Sequence, residues 1–311
     1  MAERLAAVSA QIQNIRQLEA VTTALRGIAA SRAQRARALL PGIEAYSAVV
    51  SGAIGEALSL APGDLQPASS RKRKRSGLIL FCAEQGFAGA FSERVLDTLG
   101  ADVADAMMFV IGARGLAVAR ERGLAPTWSS PMASHVDAVP ALANEIADAL
   151  YAQMAADAPS TVTMIVPRAI PGGTVRIEHT SLLPLDLSRF QRRSPAAPPL
   201  TTLKPRELIE RLTAEYVYAR LCEAVMHAYE AENEARMVTM TAARHNIASR
   251  LATLSLRAQQ LRQEEITNEI VELAAGTEAL LSGTRPSIRQ GGVERRLRGD
   301  ASTDPTFAGS V

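Results

Sequence analysis

RQEEITNEIVELAAGTEALL, residues 262–281, decides how the rest of this 311-residue chain is read. Its apolar residues Ile266, Ile270, Leu273 and Leu280 step by four, three and seven. That spacing predicts the last turns of a long helix with one seam meant for burial. Upstream the same period continues through Ile247, Leu251, Leu254, Ala258 and Leu261. No proline interrupts residues 206–281, and Gly276 is their only glycine. At 1.5 Å per residue the predicted rod is about 115 Å long.

A second rod opens the chain. Residues 3–58 are rich in Ala, Leu, Arg, Gln and Glu, all strong helix formers. Leu5, Val8, Ile12 and Ile15 form a seam, which Leu18, Val21, Leu25 and Ile28 continue after a small phase slip, followed by Ala36, Leu40 and Ile43. Pro41-Gly42 is expected to kink the helix or briefly break it. At roughly 84 Å this rod is the shorter of the two. Both far exceed the usual helix of about 11–12 residues.

Between the rods the pattern changes. GLILFC (77–82), MMFVIG (107–112) and TVTMIVP (161–167) are apolar runs of strand length, and TVRIEHTSLLPL (174–185) reads as a fourth strand or a pair. Helical patterns fall at 92–99, 113–122 and 136–155. Strand alternating with helix predicts a small, Rossmann-like α/β domain with a mostly parallel sheet. The expected organisation is an N-terminal coiled-coil helix (1–58), a basic linker (59–76), the α/β domain (77–185), a Pro-rich linker (186–205), a C-terminal coiled-coil helix (206–281) and a disordered tail (282–311). The fold class is therefore mixed α and β. The two terminal helices pair as a long antiparallel coiled coil, with the α/β domain inserted between them.

The composition narrows the function classes. Hydrophobic residues make up 47% of the chain and aromatics only 4%, so small and aliphatic side chains must do the packing. The net charge is +2, and RKRKR (71–75) alone carries +5, so the rest sums to −3. No aromatic accompanies that run, and no nucleic-acid-binding fold follows it, so nucleic acid is not an expected partner. Cys82 and Cys222 have no paired spacing, which predicts neither a disulfide framework nor a zinc site and fits a reducing cytoplasm. No signal peptide is read at the N-terminus. No stretch approaches 18 uncharged apolar residues, so membrane attachment is expected only through partners. Arginine outnumbers lysine heavily, as in GC-rich bacterial coding sequences.

Catalytic signatures are missing from the sequence. EQGFAGAF (84–91) holds Gly86 and Gly89 but lacks the GxGxxG spacing, and no phosphate-binding GxxxxGK[ST] loop occurs. His135, His179, His227 and His245 are scattered, without metal-ligand spacing. Carboxylates such as Glu264, Glu265 and Glu269 lie on a helix and suit a solvated or partner-facing role. The expectation is an architectural chain with no catalytic residue, cofactor or metal.

Comparing the rods sharpens this. With their near ends in register at the α/β domain, the C-terminal rod is longer by about 21 residues, or roughly 30 Å. Residues 261–281 are then left without a helix of their own chain to cover the seam. An exposed apolar stripe on a lone helix implies a partner protein.

The residues that carry these features resemble the γ subunits of F-type ATP synthases. RMVTM (236–240) is similar to the family's RMxxM, and RQEEITNE (262–269) to its RQxxITxE. TTALRGIAASRAQRA (22–36) follows the family's TKAMKMVAAAKLRRA. The resemblance covers about residues 5–280 and is weakest in the middle. Departures stand out: AEQGFAGAFS (83–92) replaces SDRGLCGGFN, Thr23 replaces a lysine, and Gly27 replaces a methionine. Some thirty residues also follow the point where family members stop. These departures suggest a divergent member, of the kind found in alternative, sodium-associated F-type ATPases.

The resemblance implies a central rotary stalk that couples ion flow, of protons or sodium, to ATP synthesis or hydrolysis in other subunits. The implied partners are three α and three β subunits, the ε subunit and the membrane rotor c-ring. The implied place is the cytoplasmic face of a bacterial inner membrane. On this chain the implied contacts are Arg32 and Arg35 on the first helix. On the second they are Arg262, Gln263, Thr267 and Glu269, with Ile266, Ile270 and Leu273 as the apolar bearing. A structural coiled-coil tether is the rival reading.

Overall fold

The computed structural model describes residues 2–60, 75–100, 103, 106–157, 159, 161–170, 172–190 and 200–282. The basic run 71–74, most of the Pro-rich linker (191–199) and the tail from 283 lie outside the described residues. Two compact units divide the chain. One spans residues 9–255, and the other holds residues 1–8 with 256–311.

Two long helices bracket the molecule in sequence. Helix α1 covers Ala2–Leu60, 59 residues, and passes through Pro41 without a break. Helix α5 covers Pro205–Ser282, 78 residues. The difference, 78 − 59 = 19 residues, is about 29 Å of helix.

Five strands form one mixed sheet in the order β3-β2-β1-β4-β5. They are β1 (Ser76–Phe81), β2 (Met107–Ile111), β3 (Trp128–Ser130), β4 (Thr161–Ile170) and β5 (Thr174–Leu183). The first four are mutually parallel, and β5 runs antiparallel to β4 with a bulge at Val162/Thr163. Three helices join them: α2 (Phe91–Asp97), α3 (Ala113–Glu121) and α4 (Val139–Asp157). Strand β3 was not predicted from the sequence. It is three residues long, and the backbone of β2 captures it: Thr127 N donates to Met108 O at 2.8 Å and Gly112 N to Ser130 O at 2.9 Å.

Alternation along the strands builds two cores, one on each face of the sheet. Ile79, Phe81, Phe109, Ile111, Met164 and Val166 face Leu142, Ile146 and Leu150 of α4 and Val217, Leu221 and Val225 of α5. Leu80, Met108, Val110 and Ile165 face Val95 and Leu96 of α2 and Val118 of α3. Helix α3 sits very close to β1, because a Cβ at Gly115 would fall 2.0 Å from that of Cys82.

The long helices pack side by side within residues 9–255. Val50, Ile54, Ala57 and Leu58 of α1 cluster with Ile209 of α5 and with Phe190. Farther along, Tyr46 bonds Glu215, and Arg37 Nε donates to Glu230 Oε1 at 2.8 Å. Partners on α5 rise in number as those on α1 fall, so the helices are antiparallel.

One expectation needs correction. The phase slip in α1 does not occur. The helix keeps one inward face through Ala29, Ala33, Ala36 and Leu40, and Leu18, Val21 and Ile28 are half-exposed on its flank. Alanine lets a neighbouring element approach closely, so the small residues take the inner face and the larger ones stay outside. Helix α1 also contains a stretch of mean hydropathy 1.3 that carries no more than two charged residues.

Candidate functional site

Beyond Leu261 helix α5 loses its cover. Ile266 is 50% exposed, Ile270 61% and Leu273 72%. The side chain of Leu280 lies outside the described residues. At about 100° per residue these three apolar side chains fall within an arc of roughly 60°. Arg262 and Glu269 flank the stripe on one side, and Gln263 and Thr267 on the other. All four are exposed. Thr267 Oγ1 donates to Gln263 O at 2.8 Å, a back-bond that holds the threonine rotamer on the helix. The arrangement is an apolar strip between two polar rails, which can bind a protein surface but offers no enclosed reaction site.

A second assembly stands in the unit of residues 9–255. Glu232 of α5 is buried, and its Oε1 accepts from Arg236 Nη2 at 2.5 Å, Glu84 N at 3.2 Å and Gln85 N at 3.4 Å. Burial raises the Glu232 pKa, against the pull of Arg236 and the two backbone amides. Glu84 answers in the other direction: its Oε2 accepts from Ala113 N at 3.0 Å and Met132 N at 2.7 Å. Two carboxylates thus tie α5 to the turns after β1, β2 and β3. Arg32 of α1 and Tyr229 of α5 complete the wall of a cavity of about 280 Å³ beside them.

A third cluster anchors α5 to the β4–β5 hairpin. Arg168 lies 2.8 Å from Glu178 and 3.1 Å from Glu223, and its Nη1 donates to His227 Nε2 at 2.8 Å. Burial, and then the Arg168 guanidinium, lowers the His227 pKa to about 4. The imidazole is therefore neutral at pH 7, with its proton on Nδ1. Among the described residues, no group of three His, Cys, Asp or Glu side chains is placed to hold a metal ion.

The nine residues singled out from the sequence do not form one site. Seven lie along one helix end in the unit containing 256–282. Arg32 and Arg35 belong to the other unit, where Arg35 is exposed and Arg32 half-buried. Sequence reading missed Glu84 and Glu232, which look like ordinary helix and loop carboxylates until the fold buries them. The EQGF turn and RMVTM were the available signals, since Glu84 opens one and Arg236 the other.

A family model described as ATP synthase matches residues 4–280. The chain belongs to the ATP synthase gamma family. It is 22% identical over 304 residues to an ATP synthase gamma chain of Thermobifida fusca, covering 92% of this chain and 100% of that one. It is 24% identical over 277 residues to the ATP synthase gamma chain of Moorella thermoacetica, covering 87% and 96%. In three dimensions it is similar to a chain in the mitochondrial ATP synthase of Euglena gracilis. That likeness has a TM-score of 0.64 at 10% identity and covers 94% and 100% of the two chains, so it speaks to the fold. As a member of the gamma family, the chain is a subunit of a membrane-associated enzyme complex.

Proposed function

We propose that the chain is the central rotary stalk of a bacterial F-type ATP synthase and performs no catalysis itself. Helices α1 and α5 form the shaft as an antiparallel coiled coil, and the sheet unit is the foot that engages the ε subunit and the c-ring. The complex works at the cytoplasmic face of the inner membrane and translocates protons or sodium ions. A sleeve of three α and three β subunits surrounds the shaft.

The observation that carries this reading is the exposed stripe of Ile266, Ile270 and Leu273. Covering each of these side chains is worth on the order of 1–2 kcal/mol, enough to favour a protein sleeve over water. Arg262, Gln263, Thr267 and Glu269 are the polar grip on that sleeve. Arg35 meets acidic side chains of β at the level of α1, and Arg32 reaches them at the mouth of its cavity. Because one stripe faces three equivalent catalytic subunits, it can contact them only unequally at any instant. Rotation moves the unequal contact from one subunit to the next and so shifts each through states of different nucleotide affinity.

The test is an assembled complex carrying Arg262→Ala and Gln263→Ala together. ATP-driven ion pumping should fall several-fold while ATP hydrolysis persists. Pumping that keeps pace with hydrolysis would refute the assigned grip.

A further inference from the structure

Helix α5 is enclosed where it passes the sheet: every residue from Leu221 to Asn233 is buried. Leu221, Val225 and Ala228 belong to the core shared with the strands, and Ala231 packs with Ala83, Phe91 and Val175. Apolar burial is non-directional. It holds the helix in place but sets its rotation about its own axis only through packing.

Two polar joints add directional restraint. At the first, Arg168 of β4 donates to Glu223 at 3.1 Å and to His227 at 2.8 Å, and Glu178 of β5 lies 2.8 Å from the same guanidinium. Arg220 bonds the other oxygen of Glu223. At the second, Glu232 accepts from Arg236 and from the Glu84 and Gln85 amides in the turn after β1. The Glu84 side chain passes that hold on to the amides of Ala113 and Met132. From Glu223 to Glu232 is about two and a half helical turns, which puts the two joints about 180° apart around α5 and about 13 Å apart along it. The sheet unit thus grips the helix on opposite sides. Turning α5 either way pulls both joints out of line, and hydrogen bonds weaken steeply with angle. Glu223, His227 and Glu232 are buried, so a broken bond here leaves a desolvated polar group behind.

We infer that Arg168 and Glu232 are positioning residues that key α5 to the sheet unit and carry torque between them. The torque rests on the rotary reading, while the keying stands on the geometry alone.

Two measurements test this. In the full chain, spin labels at Arg120→Cys on α3 and Thr241→Cys on α5 report the position of the helix against the sheet by pulsed dipolar spectroscopy. Both positions are exposed, whereas Cys82 and Cys222 are buried. The labelled chain should give one narrow distance. Adding Arg168→Met and Glu232→Gln should raise the share of displaced distances about tenfold or more, as expected for loss of charged hydrogen bonds. Arg168→Met leaves Glu223 with Arg220, and Glu232→Gln keeps an acceptor for the amides, so neither strands a buried carboxylate. Arg168→Lys alone, which keeps the charge but not the planar fork, should give a smaller change. In the assembled complex, the double variant should hydrolyse ATP at the parent rate yet build a several-fold smaller ion gradient. Leu150→Ala, a cavity in the α4 core that removes none of these hydrogen bonds, should cost stability without changing the gradient built per ATP. Distances that stay narrow in the double variant would overturn the keying, and the torque path with it. Distances that spread while the gradient holds, or a gradient that falls as far in Leu150→Ala, would overturn the torque role. A parent complex that hydrolyses ATP without pumping would sink the rotary reading itself, and the label distances would still decide the keying.

Discussion

Gly115 and His227 are decided by a few ångströms of local surroundings. A methyl group at Gly115 would overlap Cys82 Cβ at 2.0 Å, and Cys82, the residue that follows β1, is itself fully buried. Gly115→Ala should therefore cost about 1–3 kcal/mol, the usual range for overpacking, measured by urea denaturation of the full chain. His227 is buried neutral beside Arg168, with a native pKa near 4 against an unfolded value of 6.5. The unfolded state binds the extra proton first as pH falls. Its contribution to stability is thus complete above about pH 6.5 and is lost progressively towards pH 4. Denaturation midpoints measured at pH 7.5 and 5 should differ less in His227→Gln than in the parent chain.

At the scale of elements, the two long helices carry apolar residues of two kinds. Ile54 is fully buried where α1 meets α5, and Ile54→Ala should destabilise the chain by about 2–5 kcal/mol. Ile270 has the same side chain but is 61% exposed. Ile270→Ser should shift chain stability by no more than about 0.5 kcal/mol, as surface substitutions do, while weakening association with the catalytic subunits. Denaturation of the isolated chain and reconstitution of the complex separate the two effects. A large loss of chain stability in Ile270→Ser would mean that the stripe is covered by its own chain. The strands were legible in the sequence where burial on both faces made them continuously apolar. Trp128–Ser130 was not, because a three-residue edge strand with two serines takes its conformation from β2 rather than from its own pattern.

For the whole molecule, the excess length of α5 separates folding from function. Nearly all the residues from 262 to 278 are exposed and cover nothing. A chain ending at Leu261 should melt within about 2 °C of the full chain, the shift expected from a few tenths of a kcal/mol, yet bind the α and β subunits more weakly. Thermal melts and co-purification check the two halves of that statement.

The sequence by itself determined the long helices, the position of the sheet between them and the apolar seam at residues 262–281, because each is written in local periodicity. It also held the motifs that mark the family. Only the tertiary structure decided which apolar residues of α1 face inward. The seam slip read into Leu18, Val21 and Ile28 is absent, since alanines at 29, 33 and 36 make the closer contact. Only the fold brought Glu84 onto the amides of Ala113 and Met132, and Glu232 onto those of Glu84 and Gln85. Those pairs are separated by 29 to 148 residues along the chain. No spacing rule reaches so far, because burial and hydrogen bonding across such distances are set by packing and not by local pattern.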